Sequence, residues 1–266
     1  MIIYIDEIGA HDASDAPRCS DVIAIVGYAA PLGAWEAIEK MSIEMLELYG
    51  VTGFQAGSLA MDWPELKRQQ FLNALVEIVR SRTSMGVAAV LNARDYKELA
   101  PDWFQRENEH PYHFGFQLFF DMLLGTLEKL LDPPLRKLQK LAFILDQNDS
   151  MQRSAGSFLQ LKALRDTHNR MGTITFKSRQ DCPLLQVVGL ILHLMREEVA
   201  RQAQSKPRQQ WALEMRQRYN LLVGIYDQEN IGGLIQRIMA AKLKAVSMNL
   251  HYGGTEILKA GFTAET

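Results

Sequence analysis

Cysteine is nearly missing from this chain of 266 residues. There are two, Cys19 and Cys182, far apart and without C-x-x-C spacing. That excludes a disulfide framework and a cysteine zinc knuckle, and it suits a reducing compartment. Long apolar runs are missing as well. The most apolar stretch, Leu184–Met195, is interrupted by Gln186 and His193 and falls short of the roughly 20 residues a membrane-crossing helix needs. Met1–Glu7 shows no basic segment followed by an apolar one, so no signal peptide is read there. No membrane partner and a cytoplasmic address are expected. Several catalytic patterns are absent: G-x-x-x-x-G-K-[ST], G-x-G-x-x-G, G-x-S-x-G and H-E-x-x-H. Their absence removes the phosphate-cradling loop, the dinucleotide fingerprint, the serine nucleophile elbow and the helical zinc pair. No internal repeat or low-complexity segment is found.

What is present is an ordinary globular composition, 47% hydrophobic and 23% charged, which argues against disorder. The length suits one α/β core with an added helical region, or two small domains. The net charge of −2 hides an asymmetry. Residues 1–65 carry two basic residues, Arg18 and Lys40, against eleven acidic ones, so the remainder stands at +7. The basic remainder either presents a face to an anionic partner or consists of solvated helix faces.

The pattern of elements reads as follows. Met1–Asp6 (M-I-I-Y-I-D) is a β-rich run ending in a carboxylate, and Asp21–Ala30 is a second strand folding back on it as a hairpin. Two helices follow, one opening at Pro31 with Trp35, Ile38, Met41, Met45 and Leu48 on one side. The other opens at Pro64 and carries Leu66, Phe71, Leu75, Ile78 and Val79. Met85–Leu91 is a third strand. Tyr112–Leu131 is a strongly apolar helix, either the central core helix or the seam of a homodimer. Lys140–Asp146 is a fourth strand, again ending in Asp, and Thr173–Phe176 is a short fifth. A helix from Asp181 to about Gln202 comes next. Two more, near Gln209–Leu222 and Asn230–Val246, would form a C-terminal helical extension. The expected division is a domain over 1–204 and an extension with a loose tail over 205–266. An opening hairpin followed by alternating strands and helices argues for a mixed sheet with helices on both faces.

The two strand-end aspartates carry the chemistry of this reading. Strand 4 beside strand 1, parallel to it and opposite strand 2, would make a topological switch point, where ligands bind outside the carboxyl ends of the strands. Asp6 and Asp146 end those two strands and would converge within a few ångströms. Two close carboxylates resist ionising together, so a divalent cation is their natural companion. Two such ions can clamp a phosphodiester during attack by water.

At this point the sequence resembles a family. Met1–Gly9 (M-I-I-Y-I-D-E-I-G) is similar to the Y-x-D-E-S-G opening of a large RNase H-like family of bacteria and phages, itself classed as a domain of unknown function. Phe54–Leu59 (F-Q-A-G-S-L) resembles its F-H-A-x-x-L segment. Phe143–Asp149 (F-I-L-D-Q-N-D) resembles its strand-end aspartate segment. Pro183–Ile191 (P-L-L-Q-V-V-G-L-I) resembles its P-x-L-Q-x-A-D-L-I helix. The ordered set spans about residues 1–200. It implies an RNase H-like mixed five-stranded sheet and a metal-dependent nuclease-type site: Asp6 and Asp146 as Mg2+ or Mn2+ ligands, Glu7 assisting, and nucleic acid as substrate. Three positions depart from the pattern. Ile8 stands for the family's Ser, Gln55 for its His, and Gly189 for the Asp of Q-x-A-D. Gln186, Gly189 and His193 share one helical stripe. Gln186 would orient a ligand or be a buried amide, and His193 would replace the lost ligand or be a core residue.

Two hypotheses follow. One is a divalent-metal-dependent phosphodiester hydrolase, catalytically impaired at Gly189. The other is a non-catalytic RNase H-like module that binds nucleic acid or protein. An unrelated α/β enzyme acting on a small phosphorylated substrate comes third. Secondary features each have two readings. His110 and His113 are a metal pair or a loop and helix start. Trp63, Trp103, Phe104 and Trp211 stack bases or fill cores. Arg153, Lys162, Arg165, Arg170, Lys177 and Arg179 track a phosphate backbone or form a solvated face.

Overall fold

The computed structural model describes residues 1–9, 22–51, 63–107, 111–130, 139–147, 151–165, 169–202 and 208–236. In chain order the elements are β1 (Ile2–Ile8), β2 (Val22–Ala30), α1 (Leu32–Tyr49), α2 (Glu65–Arg82), β3 (Met85–Asn92), α3 (Ala93–Leu99), α4 (Asp102–Glu107) and α5 (Pro111–Leu130). They continue with β4 (Leu141–Asp146), α6 (Met151–Arg165), β5 (Met171–Lys177), a 3-10 turn (Arg179–Asp181), α7 (Pro183–Gln202), α8 (Arg208–Tyr219) and β6 (Leu221–Tyr226). A last helix, α9, covers 228–236.

The strands form one mixed sheet in the order β5-β4-β1-β2-β3-β6. β1 and β2 are the expected antiparallel hairpin, with Asp6 opposite Val26. β4 lies on the other side of β1 and parallel to it, with Tyr4 opposite Ile144. β2 alone runs against the other five. The chain therefore leaves β1 in opposite directions, toward β2 and toward β4, which is the condition on which the sequence reading of a switch point depends.

Side chains alternate across the strands and divide the interior into two cores. Ile3, Ile5, Ile25, Val87, Leu91, Phe143 and Leu145 face α3, α4, α5, α6 and α9. Tyr4, Val26, Tyr28, Ala88 and Val90 face α1, α2, α7 and α8. The apolar helix α5 is the centre of the first core: Phe116, Phe119, Phe120, Leu123 and Leu127 are all buried within the chain. That answers the choice between core helix and dimer seam. Phe119 lies so close to β2 that a Cβ on Gly27 would stand 2.6 Å from its ring, which is why the strand carries a glycine there. Helical periodicity overreached at two positions, Leu66 and Leu48; Leu48 is 81% exposed at the end of α1.

The five-stranded sheet and the wholly helical C-terminal extension need correction. Helix α8 stops at Tyr219 because Asn220 takes up a left-handed conformation, φ +52°, a position Asn tolerates at a helix end. The next residues, L-L-V-G-I-Y, form β6, which pairs parallel with β3 from Gly86↔Leu221 to Leu91↔Tyr226. The sheet has six strands, and it runs past the expected boundary at residue 204. The fifth strand is also longer than its apolar centre suggests, Met171–Lys177. No described helix is long and apolar enough to cross a membrane.

Candidate functional site

β1 and β4 run side by side as far as the pair Ile5↔Leu145; β4 ends at the next residue, Asp146, whereas β1 carries Asp6 and runs on to Ile8, two residues past the end expected from the sequence. Tyr4 and Ile144 face the core of α1, α2, α7 and α8, so Asp6 and Asp146, two residues on, project from that same face. Asp6 is 2% exposed and lies under α7. The side chain of Asp146 is 15% exposed.

β5 supplies the third member. Its last residue, Lys177, is in register with Asp146. The 3-10 turn Arg179–Asp181 therefore starts at the carboxyl ends of β4 and β1. Ser178 caps that turn by accepting from the backbone N–H of Gln180 at 3.2 Å. The Arg179 backbone N–H donates to Asp146 Oδ1 at 3.0 Å. One guanidinium nitrogen, Nη2, donates to Asp6 Oδ1 and also lies 3.2 Å from Asp146 Oδ2. The turn is held from the helix side by Gln186. Its Nε2 donates to the Arg179 carbonyl at 2.7 Å and to the Gln180 carbonyl at 3.3 Å. Gln186 thus orients the arginine's turn.

Electrostatics at the crevice are dominated by burial. It pushes the Asp6 carboxyl up to about 7, against the lowering influence of Arg179 and of a backbone hydrogen bond at Glu7. Neighbouring Asp146 and Glu7 add to the rise.

Glu7 is not brought to this crevice. One residue on from Asp6, it points through the opposite face, where it is 8% exposed. There the Tyr112 hydroxyl at the start of α5 donates to Glu7 Oε2 and lies 2.6 Å from Ser154 Oγ of α6. The reason is the two-residue period of a strand, which sends consecutive side chains to opposite faces. His193 is half-buried one turn beyond Gly189 on α7. His113 bonds Ser157 through Nδ1. His110, Asp149 and the F-Q-A-G-S-L segment lie outside the described residues, as do the side chains of Glu197, Trp211, Arg153 and Arg165.

Apart from Lys177, the remaining basic and aromatic candidates with described side chains make contacts within the fold. Arg170 is buried and donates to Glu128 at 2.9 Å. Lys162 donates to the Gly172 carbonyl at 2.8 Å. Phe104 is buried against Tyr96 and Phe114, with Trp103 packed on it. Trp63 is stacked on Tyr49, with the Lys67 ammonium 4.3 Å from its ring centre. Lys177 remains exposed beside the crevice.

The donor set can be tested against the cation expected from the sequence. Mg2+ is held in an octahedron of oxygens at about 2.0–2.1 Å, part of them water. The crevice offers two carboxylates, and both are engaged by Arg179. The position at which the sequence resemblance implies a third donor holds Gly189. A Cβ there would stand 2.4 Å from Asp6 Oδ2 and 3.4 Å from Arg179 Nη1. No group of three or more His, Cys, Asp or Glu side chains gathers among the described residues, so neither Glu7 nor His193 completes the set. The described residues do not make up a Mg2+ or Mn2+ centre.

Two participants escaped the sequence reading. Arg179 figured only as one of six basic residues, three positions after the expected end of the fifth strand at Phe176. Tyr112 sat inside the H-P-Y-H segment, where the histidines drew attention from it. No family model matches the chain, and no curated protein matches it in sequence.

Proposed function

We propose that this chain is an RNase H-like module that recognises nucleic acid without metal-assisted hydrolysis. The observation that carries the proposal is the convergence of Asp6 and Asp146 on a single guanidinium nitrogen at the switch point of the sheet. The RNase H-like part is supported by the opening β1–β2–β3 meander and the return of β4 and β5 to the far side of β1. The ordered sequence motifs support it too, and β6 is then an addition to the edge. The non-hydrolytic part is supported by a donor set that lacks a third ligand among the described residues. Nucleic acid as the partner rests on the likeness alone.

The charge of the site says where such a partner would be met. With both aspartates ionised, Asp6, Asp146 and Arg179 sum to one negative charge. A phosphate is repelled from the floor of the crevice. Backbone contacts would come from its rim, where Lys177 is exposed and the Arg179 side chain is 41% exposed.

The test is fluorescence anisotropy with labelled single strands, duplex DNA, duplex RNA and hybrid, in EDTA and again in Mn2+, with the products run on a denaturing gel. The expected result is binding in EDTA that weakens as salt rises, with intact strands in both buffers. Absence of binding to every probe at about 50 mM salt, where phosphate contacts are strong, would sink the proposal. Cleavage in Mn2+ that disappears in Asp6→Asn would return the hydrolase reading.

A further inference from the structure

We infer that Arg179 and Gly189 act as one matched pair, in which a guanidinium built into the chain replaces the divalent cation of the crevice and the glycine makes room for it. The inference takes from the RNase H-like reading the correspondence of Gly189 with a carboxylate position. It needs nothing about nucleic acid.

Three observations join here. First, Arg179 Nη2 touches both strand-end carboxylates at once, the place a bridging cation would hold. Second, helix α7 passes so close that a side chain at position 189 would force the Asp6 carboxylate out of its place against Arg179. A Cβ would meet Asp6 Oδ2 at 2.4 Å and the arginine at 3.4 Å from Nη1 and 3.5 Å from Cζ. A glycine in mid-helix is less favourable than alanine, and here the close approach of carboxylate and guanidinium explains its presence. Third, Gln186, one turn before Gly189, fixes the arginine's turn through two carbonyls. The same helix therefore clears the space and holds the group that fills it. The positive charge is delivered covalently, so the two carboxylates are bridged without any ion. Asp6, Asp146 and α7 are tied together by the turn that precedes the helix.

The pairing makes a reciprocal prediction. Gly189→Asp alone should be destabilised and should bind no metal, because the new side chain collides with the Asp6–Arg179 pair. Arg179→Ala removes the guanidinium and leaves Asp6 free to turn. In Arg179→Ala/Gly189→Asp three carboxylates can then gather, and the double variant should take up Mn2+.

The experiment is Mn2+ titration by calorimetry of the wild type, both single variants and the double variant, each checked for folding by a thermal melt in EDTA. The expected result is a silent wild type, a silent Gly189→Asp, and saturable binding by the double variant below about 1 mM, the weak end of carboxylate cation sites. Mn2+ should also raise the Tm of Arg179→Ala by a few degrees while leaving the wild type unmoved. This second arm decides the matter if the double variant does not fold. Binding by the wild type that is lost in Asp6→Asn would overturn the inference, as would a folded double variant that stays silent. An Arg179→Ala whose Tm does not respond to Mn2+ would count against it equally. None of these outcomes depends on nucleic acid, so the recognition proposal stands or falls separately in its own assay.

Discussion

Asp6 and Glu7 are consecutive carboxylates on one strand, and they are buried in opposite ways. Asp6 faces α7 and is met by a cation, Arg179. Glu7 faces α5 and α6 and is met by the Tyr112 hydroxyl, which in turn adjoins Ser154. One side of the sheet answers a buried carboxylate with charge, the other with hydroxyl groups. A D-E dipeptide at a strand end therefore describes two separate environments with separate partners. The cationic side adjoins the partly exposed Arg179 and the surface; the hydroxyl side is closed, with Tyr112 fully buried.

The comparison can be broken most forcefully from the closed side. Tyr112→Ala removes a fully buried aromatic ring and the donor to Glu7. It should cost about 4 kcal/mol in a urea melt, as buried aromatic truncations do. Tyr112→Phe keeps the ring and should cost about 2 kcal/mol, the value of a hydrogen bond to a charged group. A Phe variant as damaged as the Ala variant would mean that the hydroxyl, and not the packing, dominates that face. On the open side, Arg179→Ala leaves Asp6 buried beside Asp146 without its cation. Breaking a buried pair costs several kcal/mol. The arginine is 41% exposed, so solvent screening reduces the expected loss to about 2 kcal/mol.

A pH titration sharpens the contrast. The Asp6 carboxyl sits at about 7 in the folded chain against an ordinary value of 3.8. Between these values the folded state holds a proton that the unfolded state has released. The contribution of Asp6 is thus fully present below about pH 4 and is lost as the pH rises to 7. Asp6→Asn should flatten that slope in melts run from pH 4 to 8, and an unchanged slope would show that Asp6 is not its source. The smallest effect belongs to Gln186→Ala. It removes the two bonds to the arginine's turn and should cost about 1 kcal/mol. The same variant should lose part of the coupling between Arg179 and Asp6 in a double-mutant cycle.

Much of this was legible in the chain, for physical reasons that can be named. The β1–β2 hairpin and the mixed sheet followed from short β-rich runs separated by helical patterns, whereas the parallel placement of β4 beside β1 entered the sequence reading only as a condition. The shared face of Asp6 and Asp146 followed from strand alternation once the two strands were adjacent. Alternation also separates Glu7 from Asp6, yet the resemblance to a D-E opening drew both into one site. β6 was hidden because L-L-V-G-I-Y directly follows a helix with no Gly or Pro between; a lone Asn220 at positive φ is a weak mark in sequence. Arg179 was hidden for a different reason. A basic residue in a short loop has no periodicity, and only the register of β5 against β4 brings it over the carboxylates.

The late arrival of β6 has a consequence for synthesis. Its partner residues on β3 lie 135 positions earlier in the chain, as Gly86↔Leu221 shows. At ribosomal speeds of about 5–20 residues per second, the outer edge of β3 waits on the order of ten seconds for its neighbour. During that interval a strand of sequence M-G-V-A-A-V-L-N has one side unpaired, the condition under which nascent chains associate edge to edge. The nascent protein is most exposed to misassembly when its first three strands are complete and its last is still to be made.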